Sequence, residues 1–204
     1  MCKETIEYFG EYVRYCYAEY GDKVKYWITL NEPAVFSDEG YDYCEMAPGV
    51  CGGKEASRKA RHNTILAHAK AYDIYNKEFR QNQNGLVGIT LNSDWAHPEN
   101  PEDPNDILAS EIAMSMYLGW WAYPIYGNDG DYSELMKNTL INADEWSEYY
   151  EFSDQEKELN KKSSGEIFLK ILIFAPVNPQ MKLKIIFFYL RVARNVWVEP
   201  EDSQ

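Results

Sequence analysis

The feature that most constrains this chain is a pair of short apolar runs, each ending abruptly in polar residues. The first, Val24 to Leu30, stops at Asn31-Glu32-Pro33. Pro33 has no N–H to offer a sheet ladder, so a strand must end about there. The second, Leu86 to Leu91, stops at Asn92-Ser93-Asp94, followed by Trp95. Neither run alternates much between apolar and polar, the pattern of a strand covered on both faces. The carboxyl of Glu32 and the amides of Asn31 and Asn92 then fall at the carboxyl ends of buried strands. In α/β folds that edge is where ligands bind. By position alone, a surface glutamate at an ordinary strand-to-loop junction is the competing reading of Glu32.

Around these strands the periodicity is helical. Ile6, Phe9, Val13, Cys16, Tyr17 and Tyr20 share one face of a helix over 5–20, with Gly21 as its stop. Residues 34–56 read as a long connection, which in a compact domain is usually functional or disordered. A long helix runs from an N-cap at Ser57 to Phe79, with Ala60, Thr64, Ala67, Ala71, Ile74 and Tyr75 toward the core. His62 and His68 fall within it, where packing and hydrogen bonding are expected of them. Asp103-Pro104 starts another helix, to Trp121, with Ile107, Leu108, Ile112, Met116 and Trp120 facing in. A short helix follows near Tyr132 to Leu140, and Ser153 with Glu156 makes a capping box for one more.

Strands alternating with helices predict an α/β fold with a parallel sheet and right-handed crossovers. Polar residues at both strand ends favour a TIM-barrel layout, with a doubly wound sheet as the alternative. No GxGxxG or GxxxxGKS/T run is present, so nucleotide binding has no local support.

A length of 204 residues suits one domain, and 45% apolar residues suffice for a core. The net charge of −13 argues against a nucleic-acid or anionic-membrane partner and suits a neutral ligand. Aromatics reach 15%, which suits sugar stacking and an aromatic core alike. Cys44 and Cys51 flank Ala47-Pro48-Gly49, and the sequence leaves open whether they are bridged or free. There is no CxxC pair, and His62, His68 and His97 are far apart in sequence, so no metal site is expected. Met1-Cys2-Lys3-Glu4 runs straight into an amphipathic helix without an apolar leader region, and the compartment is left open.

From Lys161 the character changes. Residues 161–204 carry seven Lys and Arg against four acids, and are rich in Ile, Leu and Phe. The apolar runs there are cut by Lys170, Pro176, Pro179, Lys182 and Lys184. A spanning helix needs about 20 mostly apolar residues, so no membrane anchor is expected.

Lys25-Tyr26-Trp27-Ile28-Thr29-Leu30-Asn31-Glu32-Pro33 resembles the acid/base motif of glycoside hydrolase family 1, the β-glucosidase family. Further pieces follow in that family's order. They are Gly40-Tyr41 with Ala47-Pro48-Gly49; Arg61-His62-Asn63 with Leu66-Ala67-His68-Ala69; Gly88-Ile89-Thr90-Leu91-Asn92 with Asp94-Trp95; and Pro124-Ile125-Tyr126 with Gly130-Asp131-Tyr132. The resemblance covers about residues 5–160, roughly the middle third of the family's domain, and leaves 161–204 as a divergent tail. It implies part of a (β/α)8 barrel, with 24–30 as the fourth strand and 86–91 as the fifth.

The same resemblance implies a retaining β-glycosidase with no cofactor and a small-molecule β-glycoside or oligosaccharide as its partner. Glu32 matches the general acid/base and Asn31 the residue that binds the sugar's 2-OH. Asn92 and Trp95 are further candidates for substrate contact, and Tyr41 and Tyr43 could stack on sugar rings. Retention also needs a second carboxylate about 5–5.5 Å from the first as nucleophile. The family's nucleophile motif, Thr-Glu-Asn-Gly, does not occur in the chain. The expectation is therefore an inactive fragment of a glycosidase, with a non-catalytic carbohydrate-binding relative as the alternative.

Overall fold

The computed structural model describes residues 3–147, 150–172 and 187–192. Four strands form one sheet in the order β1 (Tyr26–Asn31), β2 (Leu86–Asp94), β3 (Glu166–Leu172), β4 (Phe187–Val192). The first three are parallel, with Tyr26 opposite Leu86 and Gly88 opposite Glu166. Strand β4 returns antiparallel, Ile167 opposite Val192. The expected all-parallel sheet therefore holds only for β1 to β3. An antiparallel return needs no crossover helix, and it satisfies ladder groups that β3 would otherwise leave open. A strand over 166–172 also lies where only a divergent tail was expected. The breaks expected at Pro176, Pro179, Lys182 and Lys184 lie outside the described residues.

Helix α1 (Glu4–Tyr20) precedes β1, and α2 (Pro33–Tyr41) follows it directly. The long connection expected over 34–56 therefore holds a helix in its first part. After the disulfide between Cys44 and Cys51, α3 runs from Gly53 to Ile74. It starts four residues earlier than expected, because Ser57 does not cap it. The Ser57 hydroxyl instead donates to Asp38 Oδ1 at 2.6 Å. A π turn, Tyr75–Phe79, and α4 (Arg80–Gln83) carry the chain on to β2.

Beyond β2, Asp103 caps α5 (Pro104–Met114) by accepting from the Asn105 N–H, as its sequence predicts. A second π turn, Ser115–Gly119, leads into α6 (Trp120–Tyr126). Then come α7 (Glu134–Asn142) and α8 (Asp154–Lys162), the latter with the complete Ser153–Glu156 capping box.

One core cluster joins Ile65 and Leu66 of α3, Ile89 and Leu91 of β2, Trp120, Trp121 and Ile125 of α6, and Met136 and Leu140 of α7. A second joins Val13 and Tyr17 of α1, Ala71, Tyr72 and Ile74 of α3, and Val87. Every core position expected on α3 is buried. Ile107 and Leu108 are not: they stay exposed, because the core cluster reaches no residue of α5. Gly21 ends α1 at φ −68°, so its small size matters rather than a left-handed turn. An added Cβ would collide with the amide of Gln83, which donates to Tyr17 O at 2.7 Å.

Strand β2 meets the expectation of two covered faces, being buried from Val87 to Leu91. Strand β1 does not. Trp27 meets Tyr17 edge-on at 5.0 Å and Thr29 meets His68, so that face is packed. Tyr26 and Ile28, pointing the other way, are 65% and 49% exposed.

Candidate functional site

The site forms where β1 ends beside β2. Parallel pairing brings Asn31 opposite Thr90, after a register shift beyond Ile28. Glu32 is the next residue, and it takes the left-handed conformation, φ 46° and ψ 59°. For a non-glycine residue this is sparsely populated, because Cβ crowds the following carbonyl. Two backbone hydrogen bonds fix it there. The Glu32 N–H donates to Thr90 O at 2.8 Å, and the Val35 N–H donates to Glu32 O at 2.9 Å. The first belongs to the sheet and the second to the opening turn of α2. Pro33 sits at the first helical position, where its missing N–H costs nothing. The local sequence thus makes a strand–kink–helix junction with a half-buried carboxyl at the kink.

The other expected residues distribute unevenly. Asn31 is exposed. Asn92 lies two residues beyond Thr90 on the same face of β2 and is half-buried. Its Oδ1 is buried and accepts no hydrogen bond from the described residues. Trp95, beyond the end of β2, is 50% exposed and is not a core residue. Tyr43 is exposed and Tyr41 half-buried. Among the described residues, no three His, Cys, Asp or Glu side chains cluster as metal ligands, and no helix is long and apolar enough to cross a membrane.

Behind the strand ends lies a layer in which His68 and His62 are packed and hydrogen-bonded, as expected of them. His68 is fully buried between strand and loop: Nδ1 is 2.7 Å from Thr29 Oγ1, and Nε2 is 3.2 Å from Ser163 O. A carbonyl only accepts, so Nε2 carries the hydrogen and Nδ1 accepts from the Thr29 hydroxyl. Burial pushes the His68 pKa down to about 4, against a weaker upward pull from Ser163 O. His62 is likewise lowered to about 4 by burial; it stacks on Phe152 at 4.2 Å, with Nδ1 3.2 Å from the Tyr132 hydroxyl.

A second element of this layer is Asp38 on α2. Its Oδ1 accepts from Ser57 and, at 3.1 Å, from Arg61 Nε, while Oδ2 pairs with Arg61 Nη2. The Arg61 guanidinium lies over the rings of Trp120 and Trp121, 5.1 and 5.9 Å from their centroids. An acid six residues after Glu32 and an Arg on the next helix were both visible in the sequence. Nothing in their spacing said that they would meet.

Comparison with known proteins follows the same outline. A family model described as glycosyl hydrolase family 1 matches residues 1–171, past the boundary expected near residue 160. The chain is 37% identical over 167 residues to lactase/phlorizin hydrolase of Homo sapiens, covering 79% of this chain and 9% of that protein. It is 38% identical over 166 residues to cytosolic beta-glucosidase of Cavia porcellus, covering 79% of this chain and 35% of that protein. Beta-klotho of Mus musculus is 40% identical over 153 residues, covering 75% of this chain and 14% of that protein.

Among solved structures, rice Os3BGlu6 beta-glucosidase superposes with a TM-score of 0.74 at 30% identity, covering 84% of this chain and 37% of that one. Aphid myrosinase superposes with a TM-score of 0.73 at 27% identity, covering 98% of this chain and 45% of that one. The chain thus spans less than half the length of each of these relatives. The structural relatives are (β/α)8 barrel enzymes, and the parallel β1–β2–β3 sheet with its helices is a partial version of that α/β layout. The chain belongs to glycosyl hydrolase family 1.

Proposed function

We propose that this chain carries the proton-transfer half of a retaining β-glycosidase, with Glu32 as general acid/base. One observation supports this above the others: a glutamate held in a left-handed kink at the carboxyl end of a parallel strand. Such conformations cost about 1–3 kcal/mol and persist where the surroundings impose them, commonly at functional sites. A leaving-group oxygen needs a proton donor, and the same carboxylate must later take a proton from water.

On this reading β1 and β2 take the places of the fourth and fifth barrel strands. Asn31 binds the sugar's 2-OH, and Asn92 and Trp95 border the leaving group. The buried, unpartnered Oδ1 of Asn92 is an acceptor suited to a hydroxyl, and the half-exposed Trp95 ring offers a stacking face. The substrate class is a β-glucoside or related β-glycoside, with no cofactor.

Retention needs a carboxylate nucleophile about 5–5.5 Å from the acid/base. The Thr-Glu-Asn-Gly run that would supply it does not occur in this chain. The isolated chain is therefore inactive on this account, and hydrolysis belongs to a complete domain. The test is hydrolysis of an aryl β-glucoside by the purified chain, beside Glu32→Gln. Turnover that Glu32→Gln abolishes would overturn the inactive-fragment reading while upholding the role of Glu32.

A second reading, sugar binding without turnover, is favoured by the exposure of Trp95 and Tyr43. Quenching of tryptophan fluorescence by a β-glucoside, without hydrolysis, would support it.

A further inference from the structure

The kink at Glu32 needs an anchor on its helical side. Its N–H is tied to the sheet through Thr90, and its carbonyl is tied to α2 through Val35. Helix α2 is nine residues long, too short to hold its own position in water. What fixes it is therefore what fixes the angle between β1 and α2.

Asp38 supplies a charged attachment. It takes a forked, charge-assisted pair from Arg61 and a hydroxyl hydrogen bond from Ser57, both on α3. Arg61 is in turn pressed over Trp120 and Trp121, whose rings are almost fully buried in the core. The chain of contacts runs from the core aromatics through Arg61 and Asp38 into α2, and from α2 to the Glu32 carbonyl. Neighbouring contacts agree: Ser37 is fully buried, and an added Cβ at Gly40 would lie 2.8 Å from Ala47 O.

We infer that Asp38, clamped by Arg61 and Ser57, is a positioning residue for Glu32: it holds α2 so that the glutamate stays in its left-handed kink at the strand end. The inference rests on Glu32 being the acid/base, but its test does not depend on hydrolysis. The clamp takes no part in proton transfer and does not touch substrate. It sets the direction from which the Glu32 carboxyl leaves the backbone.

The experiment is NMR on the full chain and on Asp38→Asn and Arg61→Lys. Asparagine keeps the size of Asp38 and an acceptor for Ser57, but loses the charge that Arg61 pairs with. Lysine keeps the charge of Arg61 and loses the fork. Arg14→Ala, which breaks the exposed Arg14–Glu78 pair, is the control. A residue at positive φ shows a strong cross-peak between its own amide and Hα protons, which reports the kink directly.

Both clamp variants are expected to weaken that cross-peak at Glu32 and to speed exchange of its amide by ~tenfold. Amides of Leu66 and Ile89, in the core, should keep the parent's pattern, as should Glu32 in Arg14→Ala. An unchanged Glu32 cross-peak and exchange rate in both clamp variants overturns the inference. Uniform loss of protection, at Leu66 and Ile89 as much as at Glu32, overturns it too, since the pair would then serve the whole fold. Hydrolysis or its absence bears on the chemistry of Glu32 and leaves this result untouched.

Discussion

Lowering the pH from 7 to 5 places a defined load on His68. Unfolded, its imidazole takes up a proton as the pH falls below the ordinary 6.5; folded, burial delays that until about 4. Between those values the unfolded state binds more protons, so stability falls with pH and the loss levels off below about pH 4. Hydrogen bonding does not set the barrier. In the charged form Nδ1–H could donate to Thr29 Oγ1, and the freed hydroxyl hydrogen could turn to Gly88 O, 3.1 Å away. The cost is that of placing a charge where water cannot reach it.

At pH 5 that cost amounts to about 2 kcal/mol relative to pH 7, and the whole shift to about 3 kcal/mol. The assay is urea unfolding followed by tryptophan fluorescence at both pH values, on the parent and on His68→Gln. Glutamine can accept from Thr29 and donate to Ser163 O, and it does not titrate. Carboxylates such as Asp131 and Glu78, held below their ordinary range, also lose stability in acid, but they contribute to both proteins alike. The variant is expected to lose about 2 kcal/mol less than the parent between pH 7 and pH 5. Equal losses in the two proteins would refute the reasoning.

Three further outcomes follow from individual contacts. Thr29→Val removes the only hydroxyl facing His68 Nδ1 among the described contacts and leaves a buried acceptor unpaired, at a cost of about 1–3 kcal/mol in urea unfolding. Glu32→Gly relieves a left-handed conformation that costs an L-residue about 1–2 kcal/mol, so the variant should be as stable as the parent or slightly more so, while Glu32→Val should be less stable. Asp131→Asn should lower stability by about 3 kcal/mol, since this nearly buried carboxylate accepts from Lys137 at 3.0 Å, Lys157 at 2.8 Å and the Tyr132 N–H at 2.8 Å. Burial pushes the Asp131 pKa up, and those donors more than offset it.

What could be read in advance was what depends on neighbours in sequence. Caps at Asp103 and Ser153, the core face of α3 and the buried β2 follow from spacing and local hydrogen bonding, and they occur as expected. Glu32 was legible as a carboxyl at a strand end because Pro33 stops the strand. Its left-handed backbone was not, since that depends on Thr90 across the sheet and on the seat of α2.

Ser57 shows the same limit. Its spacing makes a good N-cap, yet Asp38, far away in sequence, takes its hydroxyl and lets α3 start at Gly53. The exposed face of β1 and the antiparallel β4 depend on which elements pack together, which periodicity does not encode. Cys44 and Cys51 illustrate an intermediate case. Their spacing allowed a bridge without requiring one, and the turn between α2 and α3 brings their Cα atoms to 5.1 Å.

The central claim is that this chain holds the acid/base of a retaining glycosidase without the carboxylate that would form the glycosyl-enzyme. Intact-mass measurement of the chain after incubation with an activated aryl β-glucoside tests it most directly. An unchanged mass, in the parent and in Glu32→Gln alike, is the predicted result. A gain of one glycosyl unit in the parent would contradict the account, because it would show a nucleophile within reach of the sugar.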